Sequence, residues 1–299
     1  MIPGKLDAVL PLTRADYERF RILDYSVERF FECLNVLWIV TPDRDYGELS
    51  AKISNPRYRV LPESELIPEL RYYQRISRAI AAVRLKKNQR LGWFIQQLVK
   101  LGIAPAVETD FYVTLDADVV CIKPVKFDAL VRDGKGVTNT TTEDWHAEWY
   151  GWAERVLGMK RSGLTYGVTP ALFNKMAMLK LHGYLTSQTS RPVRAIGRLM
   201  PSQSALEAAC LSWRSYLLRN IPWTEYGLYN TYLENTNQFD QFHFAGGVHA
   251  IYDTYNSVWF AEHMGNWDPA KAHDESFFMV LQSRVGMRPE YILKRLQEL

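Results

Sequence analysis

Residues Phe111–Pro124 read FYVTLDADVVCIKP. A mostly apolar run enters Asp116-Ala117-Asp118, and a second apolar run leaves it. Short apolar runs of this length are the signature of buried strands. Two carboxylates one residue apart at the end of such a strand are costly to bury unless a cation or hydrogen-bonding partner compensates them. A surface turn closed by aspartate side chains would give the same tripeptide. The apolar flanks favour a buried pair, and a hard divalent ion carrying a diphosphate would compensate it well.

Working outward, the preceding residues alternate strands and helices. Leu6–Leu12 is an apolar run ending around Pro11, read as a first strand. Thr13-Arg14-Ala15-Asp16 follows, with Thr13 placed to cap a helix from Asp16 to about Phe31. Asn35–Val40 is a second strand, stopped by Thr41-Pro42-Asp43, and Arg57–Leu61 a third. This alternation predicts a layered α/β fold with a mostly parallel central sheet flanked by helices. Ligands of such sheets collect beyond the carboxyl ends of the strands, where Thr13, Asp43 and the aspartate pair would lie.

Gln89–Ile103 reads as an amphipathic helix with Leu91, Phe94, Ile95, Leu98 and Leu101 on its apolar face. Gln89, Trp93, Gln96 and Lys100 fall on another stripe. Beyond Pro124 the pattern loosens. Gly136–Asn139 and Leu164–Val168 are short strand candidates, and Glu143–Trp152 is a Trp-rich loop or short helix. Gly163–Pro170 reads as strand, tight turn and helix start, with Gly167 allowing a close backbone approach to a ligand. Ser204 and Glu207 form a capping box for a helix to about Leu218. Pro222–Glu234 reads as irregular and aromatic, Gln238–Phe244 as a late strand, and the tail from Pro289 as an amphipathic helix. No internal repeat or linker divides residues 1–299, which suit a single domain.

Composition narrows the class. The 299 residues are 47% hydrophobic and 23% charged, which supports a sizeable core. A formal charge of +3 without long like-charged blocks argues against a nucleic-acid partner. Cys33, Cys121 and Cys210 are scattered and set among apolar residues, as expected of free buried thiols in a reducing compartment. The N-terminal segment lacks signal-peptide character and no run reaches membrane-spanning length. A cytoplasmic protein is expected, with peripheral contact at the inner face of the membrane as the second option. The tail YILKRLQEL is the segment that would touch a bilayer, although an ordinary packed helix explains it equally well.

Strand, Thr-Leu-Asp-Ala-Asp-Val-Val and a following Lys-Pro resemble the metal-binding core of GT-A-fold glycosyltransferases. GWFIQQLVKLGIA before FYVTLDADVVCIKP, and TEYGLYNTYL later, resemble a bacterial glycosyltransferase-like family catalogued as DUF6492. The resemblance implies a GT-A-like, Rossmann-like domain. Its first half, 1–125, would bind the nucleotide sugar, and its second, 126–299, the acceptor, a glycan or lipid-linked saccharide. It also implies Mn²⁺ or Mg²⁺ as cofactor, since a divalent ion stabilises charge developing on a nucleoside-diphosphate leaving group. Carried onto this chain, Leu12, Thr13 and Asp43 approach base and ribose, Asp116 meets ribose or ion, and Asp118 meets the ion. Gln96 and Lys100 approach donor phosphates or the carboxylates beside them.

His243 begins His-Phe-Ala-Gly, resembling the His-Phe-x-Gly that supplies a metal ligand in some GT-A families, although the Lys-Pro-Trp that follows elsewhere is missing here. His249 and His263 compete, and a lone histidine is more often a hydrogen-bonded core residue. For an acceptor-activating base the candidates are Glu225, in the aromatic segment of Trp223, Tyr226 and Tyr229, and Asp144, amid Trp145, His146, Trp149 and Trp152; a cap or salt bridge at a helix start explains Glu225 equally well. Trp145 or Trp149 would stack a sugar ring, though most aromatics fill core. A haloacid-dehalogenase-type phosphatase fits less well, because Val119-Val120 rather than Gly or Thr follows the aspartates. A sugar-phosphate nucleotidyltransferase would want a glycine-rich loop that LPLTRADY does not supply. A catalytically silent carbohydrate-binding or assembly module of the same fold satisfies the same pattern.

Overall fold

The computed structural model describes residues 2–70, 91–188 and 212–299. The first part runs β1 (Leu6–Pro11), a 3₁₀ turn, α1 (Tyr17–Phe30), β2 (Leu34–Thr41), α2 (Asp43–Lys52), β3 (Tyr58–Pro62) and the short α3 (Glu63–Leu66). It continues through α4 (Leu91–Gly102), β4 (Phe111–Thr114), β5 (Val119–Cys121) and α5 (Phe127–Leu130). The short strands β6 (Val131–Arg132), β7 (Lys135–Thr138) and β8 (Thr140–Thr141) follow, then α6 (Ala147–Leu157), β9 (Thr165–Tyr166), β10 (Ala171–Asn174) and α7 (Lys175–Ser187). The last described part holds α8 (Trp213–Arg219), α9 (Glu225–Asn235), α10 (Phe239–Phe242), β11 (His243–Ala245), β12 (Phe278–Val280) and α11 (Pro289–Gln297).

The central sheet has the order β10-β4-β1-β2-β3. β1 through β4 are parallel, and β10 joins the edge antiparallel, with Leu172 opposite Val113. Alternation across the strands assigns side chains to two faces. From β1, Leu6, Ala8 and Leu10 pack with Phe20, Leu23 and Val27 of α1. Val9, between them, packs on the other face with Leu98 and Leu101 of α4, and with Tyr112 and Phe173. Both faces are therefore covered, the usual condition of a parallel sheet. Each wholly buried Leu or Val contributes about 1.5–3 kcal/mol by leaving water.

Several expectations are corrected here. The Thr13 hydroxyl caps no backbone N–H; it donates to the Asp16 carboxylate at 2.6 Å. Pro222–Glu234 is not irregular, since α9 fills most of it, and Thr224 caps that helix by accepting from the Gly227 N–H at 3.2 Å. Every residue from Glu225 to Leu233 is buried, so no polar face exists to give a helical period. Pro170 leads into strand β10 rather than a helix. Gln238–Phe244 is mostly the short α10, with the strand confined to its end. The expected start at Gln89, the Ser204–Glu207 box and Cys210 lie outside the described residues. Cys33 and Cys121 are buried and free.

The tail is a packed helix. Ile292 and Leu296 of α11 join Ile22, Trp267 and Met287 in a third apolar cluster, while Tyr291 and Leu299 remain exposed. No helix among the described residues is long and apolar enough to cross a membrane.

Candidate functional site

The chain builds β1, β2 and β3 outward in one direction and then sets β4 on the other side of β1. Connections leaving β1 and β4 therefore diverge, and the place beyond their carboxyl ends is where sheets of this topology form a ligand crevice. Asp116 and Asp118 sit in a tight turn at that crevice, closed by the Val119 N–H donating to the Asp116 carbonyl at 3.0 Å. The turn is fixed by the chain's C-terminal region. β5, directly after it, pairs antiparallel with β12. Beyond β12, the Leu281 N–H donates to the Asp118 carbonyl at 2.7 Å, and the Ser283 N–H to Asp118 Oδ2 at 2.9 Å. Arg19 of α1 in turn donates to the Ser283 carbonyl at 2.6 Å. Burial, and then the neighbouring Asp116 charge, push the Asp118 carboxyl up to about 6, against the pull of the Ser283 N–H, Arg19 and Lys100.

Behind Asp116 lies a fully buried cation. Lys100, from the last turn of α4, places Nζ 2.9 Å from Asp116 Oδ1 and 3.2 Å from Glu225 Oε1. It also donates to Thr169 Oγ1 at 2.7 Å. Burial alone lowers the pKa of this ammonium; the charges of Asp116 and Glu225 outweigh it and raise it above the ordinary lysine value. Glu225 is the inner partner. It is wholly buried at the first position of α9, and burial raises its carboxyl despite Lys100. The Gln97 amide nitrogen faces both of its carboxylate oxygens in the orientation that satisfies both groups. The result is a line running inward from crevice to core: Asp116, Lys100, Glu225 and Gln97.

Leu12 is buried at the end of β1, its N–H donating to the Val40 carbonyl at 2.9 Å, with Thr13 beside it. Asp43 starts α2, where its carboxylate accepts from the Ser64 hydroxyl and, at 3.2 Å, from the Ser64 N–H. Gln96 is half-buried, and its neighbour Gln97 faces Glu225 instead. A three-residue step along a helix returns to the same face, so Gln97 with Lys100 was the readable signal. Arg19, Thr169 and Ser283 carry no motif, and only the folded chain brings them here.

Three of the expected residues are engaged with other partners in the structure. Both ring nitrogens of His243 are engaged within the fold. Nε2 bonds the Tyr229 hydroxyl at 2.8 Å, and Nδ1 lies 3.1 Å from both the Gly136 carbonyl and Thr138 Oγ1. The ring packs against Phe111, at the amino end of β4, whereas the aspartates lie past its carboxyl end. Burial pushes His243 down to about 4. Glu225 has no exposed surface, so an acceptor hydroxyl does not reach it; its partner is Lys100. Asp144 is exposed and bidentate with Arg161, at 2.8 and 2.9 Å, and that guanidinium lowers its pKa, making it a poor base. Trp149 is covered by His146, stacked 4.5 Å away, and by Trp93 and Tyr226, while Trp145 remains exposed. Gly167 makes its close approach to the protein itself: a Cβ there would lie 2.7 Å from Asn139 Cβ. Among the described residues no three His, Cys, Asp or Glu side chains converge to hold a metal ion.

No curated protein matches the chain by sequence. Among solved structures, it is similar to mouse xyloside xylosyltransferase 1 in its apo form, with 10% identity and a TM-score of 0.48 over 95% of this chain and 100% of that one. It is also similar to the galactosyltransferase LgtC bound to donor and acceptor sugar analogues, with 9% identity and a TM-score of 0.48 over 98% and 96% of the two chains. The glycosyltransferase GlyE of Streptococcus pneumoniae gives 10% identity and a TM-score of 0.41 over 98% of this chain and 63% of that one. The sequence itself is decisive about kinship: residues 4–299 match the family of unknown function DUF6492, and the chain belongs to that family.

Proposed function

We propose that this chain is a metal-dependent glycosyltransferase of GT-A type. It moves a sugar from a nucleotide-sugar donor to a glycan or lipid-linked saccharide, in the synthesis of a surface polysaccharide at the cytoplasmic face of the membrane. The observation that carries this reading is the aspartate pair: two half-buried carboxylates in one tight turn, at the crevice beyond the parallel strands. Asp118 has a single backbone N–H on Oδ2 and no hydrogen bond on Oδ1 among the described residues. The pair fits Mn²⁺ or Mg²⁺, because Mg²⁺ is commonly held by one or two carboxylates and completed by substrate phosphates and water. A third protein ligand is not required for such a site. When bound, the ion neutralises charge on the diphosphate as the sugar bond breaks.

The remaining roles belong to the chain's own residues. Asp118, oriented by Ser283, and Asp116, oriented by Lys100, hold the ion. Lys100, on Asp116, and Arg19, on the Ser283 carbonyl, add positive charge near the turn, where a diphosphate would otherwise meet only carboxylates. Leu12, Thr13 and Asp43 lie at the ends of β1 and β2, at the place for base and ribose. Residues 1–125 form the donor half and 126–299 the acceptor half of one domain. Glu225, rather than touching the acceptor, keeps Lys100 charged and fixed.

The test is a thermal-shift screen of UDP-, GDP-, dTDP- and CMP-sugars with and without Mn²⁺, followed by calorimetry on Asp118→Asn. One donor should stabilise the protein only with metal, by about 2.7 kcal/mol at a hundredfold excess over its dissociation constant. The variant should lose at least a hundredfold in donor affinity while keeping its melting temperature. Unchanged affinity in Asp118→Asn would remove the metal assignment, and no response to any donor would favour a silent carbohydrate-binding module.

A further inference from the structure

Helix α1 carries two arginines that reach onto the chain's C-terminal segment. Near its start Arg19 donates to the Ser283 carbonyl at 2.6 Å, and near its end Arg29 donates to the Leu296 carbonyl at 3.3 Å. Between them Ile22 packs with Ile292 and Leu296. The segment that follows β12 is therefore laid along α1, and the Arg19 contact falls where that segment also touches the aspartate turn.

That point is Ser283, which opens a short 3₁₀ turn, Ser283–Val285, shortly after β12. Its N–H donates to Asp118 Oδ2 at 2.9 Å, and the Leu281 N–H donates to the Asp118 carbonyl at 2.7 Å. The amide on one side of Ser283 holds Asp118, and the carbonyl on its other side is held by Arg19. Arg19 is half-buried and makes no ion pair among the described residues; its guanidinium grips backbone rather than a carboxylate.

Holding residue 283 from both sides matters because a carboxylate with one hydrogen bond is free to rotate about it. The orientation of Asp118 is then only as well defined as the Ser283 N–H. Partners that orient a ligating carboxylate in this way typically account for about ten- to a hundredfold in metal affinity.

We infer that Arg19 is a positioning residue of the aspartate site. It acts on Asp118 through Ser283, so that docking of the C-terminal segment on α1 sets how tightly the site holds a divalent cation. The inference rests on the metal reading of the aspartate pair. Its expected effect is opposite in sign to that of charge alone. A guanidinium near a metal site repels the metal, so removing that charge would by Coulomb's law tighten metal binding. Removing a positioning contact weakens it.

The experiment titrates the full chain with Mn²⁺ alone, without donor, and reads the free ion by electron paramagnetic resonance. Arg19→Met should weaken Mn²⁺ binding about tenfold, and Arg19→Lys, which keeps a charged donor of similar reach, should restore it to within about threefold of the parent. Arg21→Met removes an exposed charge of the same helix, paired with Glu18 at 3.1 Å, and should leave Mn²⁺ affinity unchanged. Ser283→Pro deletes the N–H on Asp118. Proline suits the first position of a helical turn, and Gln282 before it is already extended, with ψ 122°. That variant should also lose about tenfold, and adding Arg19→Met to it should cost less than about a further twofold, because both changes remove one shared contact. Amide exchange at Leu281 should quicken in Arg19→Met. A rise in Mn²⁺ affinity in Arg19→Met, a lower melting temperature at unchanged affinity, or additive losses in the double variant overturns the positioning role. Mn²⁺ binding that is lost in Asp118→Asn but kept in Arg19→Met refutes that role alone. Mn²⁺ held no better by the parent than by Asp118→Asn refutes the metal reading, and this role with it.

Discussion

The two edges of the central sheet treat buried polar groups in opposite ways. At the amino edge two such groups are closed off. Asp7, fully buried in β1, accepts from Asn35 Nδ2 at 2.8 Å, from the Trp38 indole at 3.1 Å and from the Glu108 N–H at 2.7 Å. His243, packed at the amino end of β4, has both nitrogens engaged. At the carboxyl edge Asp116 and Asp118 sit together, held by one lysine and one backbone N–H. Buried polarity marks structure where its bonding is complete, and marks a site where it faces a crevice with bonding left over.

The comparison is most open to breakage at Lys100, which belongs to both worlds. Lys100→Met leaves Glu225 as an unpaired buried charge and should cost about 3–5 kcal/mol in denaturant unfolding. Adding Glu225→Gln should restore more than half of that. If Lys100→Met is as stable as the parent, the ion pair is not holding α4 to α9. His243→Ala comes next. Orphaning the Tyr229 hydroxyl and leaving a cavity should cost about 2–4 kcal/mol, with donor affinity unchanged. A loss of metal-dependent donor binding at full stability would return His243 to the ligand list.

The acid limb of stability sharpens the same contrast. His243 is held neutral, its folded value near 4 lying below the ordinary 6.5. Its contribution is complete above pH 6.5 and disappears as pH falls toward 4, because the unfolded chain takes the proton first. His182, pushed down by burial to about 3, acts with the same sign. Melting curves from pH 7 to 4 should therefore fall less steeply in His243→Ala than in the parent. An identical slope would mean that the imidazole already titrates normally in the fold. The smallest effect is expected at Asp144→Asn. An exposed ion pair contributes little, so neither melting temperature nor donor affinity should change measurably. A large loss of turnover there would reinstate Asp144 as the base.

Legibility followed packing. β1 to β4, α1 and α11 could be read because their residues repeat with the period of a face against core. α9 could not, since it is buried all round and carries Gly227, whose Cβ would collide with Thr224 Oγ1 at 2.6 Å. Periodicity put Gln96 and Lys100 on one stripe and the family resemblance set that stripe beside the aspartates; the fold brings Lys100 to Asp116 but turns Gln97, not Gln96, to Glu225. On a helix walled by other elements, "polar" does not mean "outward".

By itself the sequence determined the alternation of strands and helices, the parallel sheet and the carboxyl-edge position of Asp116 and Asp118. Each of these follows from local patterns of apolar and turn-forming residues. Only the tertiary structure decided which polar groups meet there. Ser283 lies 165 residues from Asp118 and Glu225 lies 125 from Lys100. Contacts at such separations depend on how sheet and helices stack, and no local pattern encodes them. The same packing that brought Ser283 to the aspartates carried His243 away from them, to the far end of the strand.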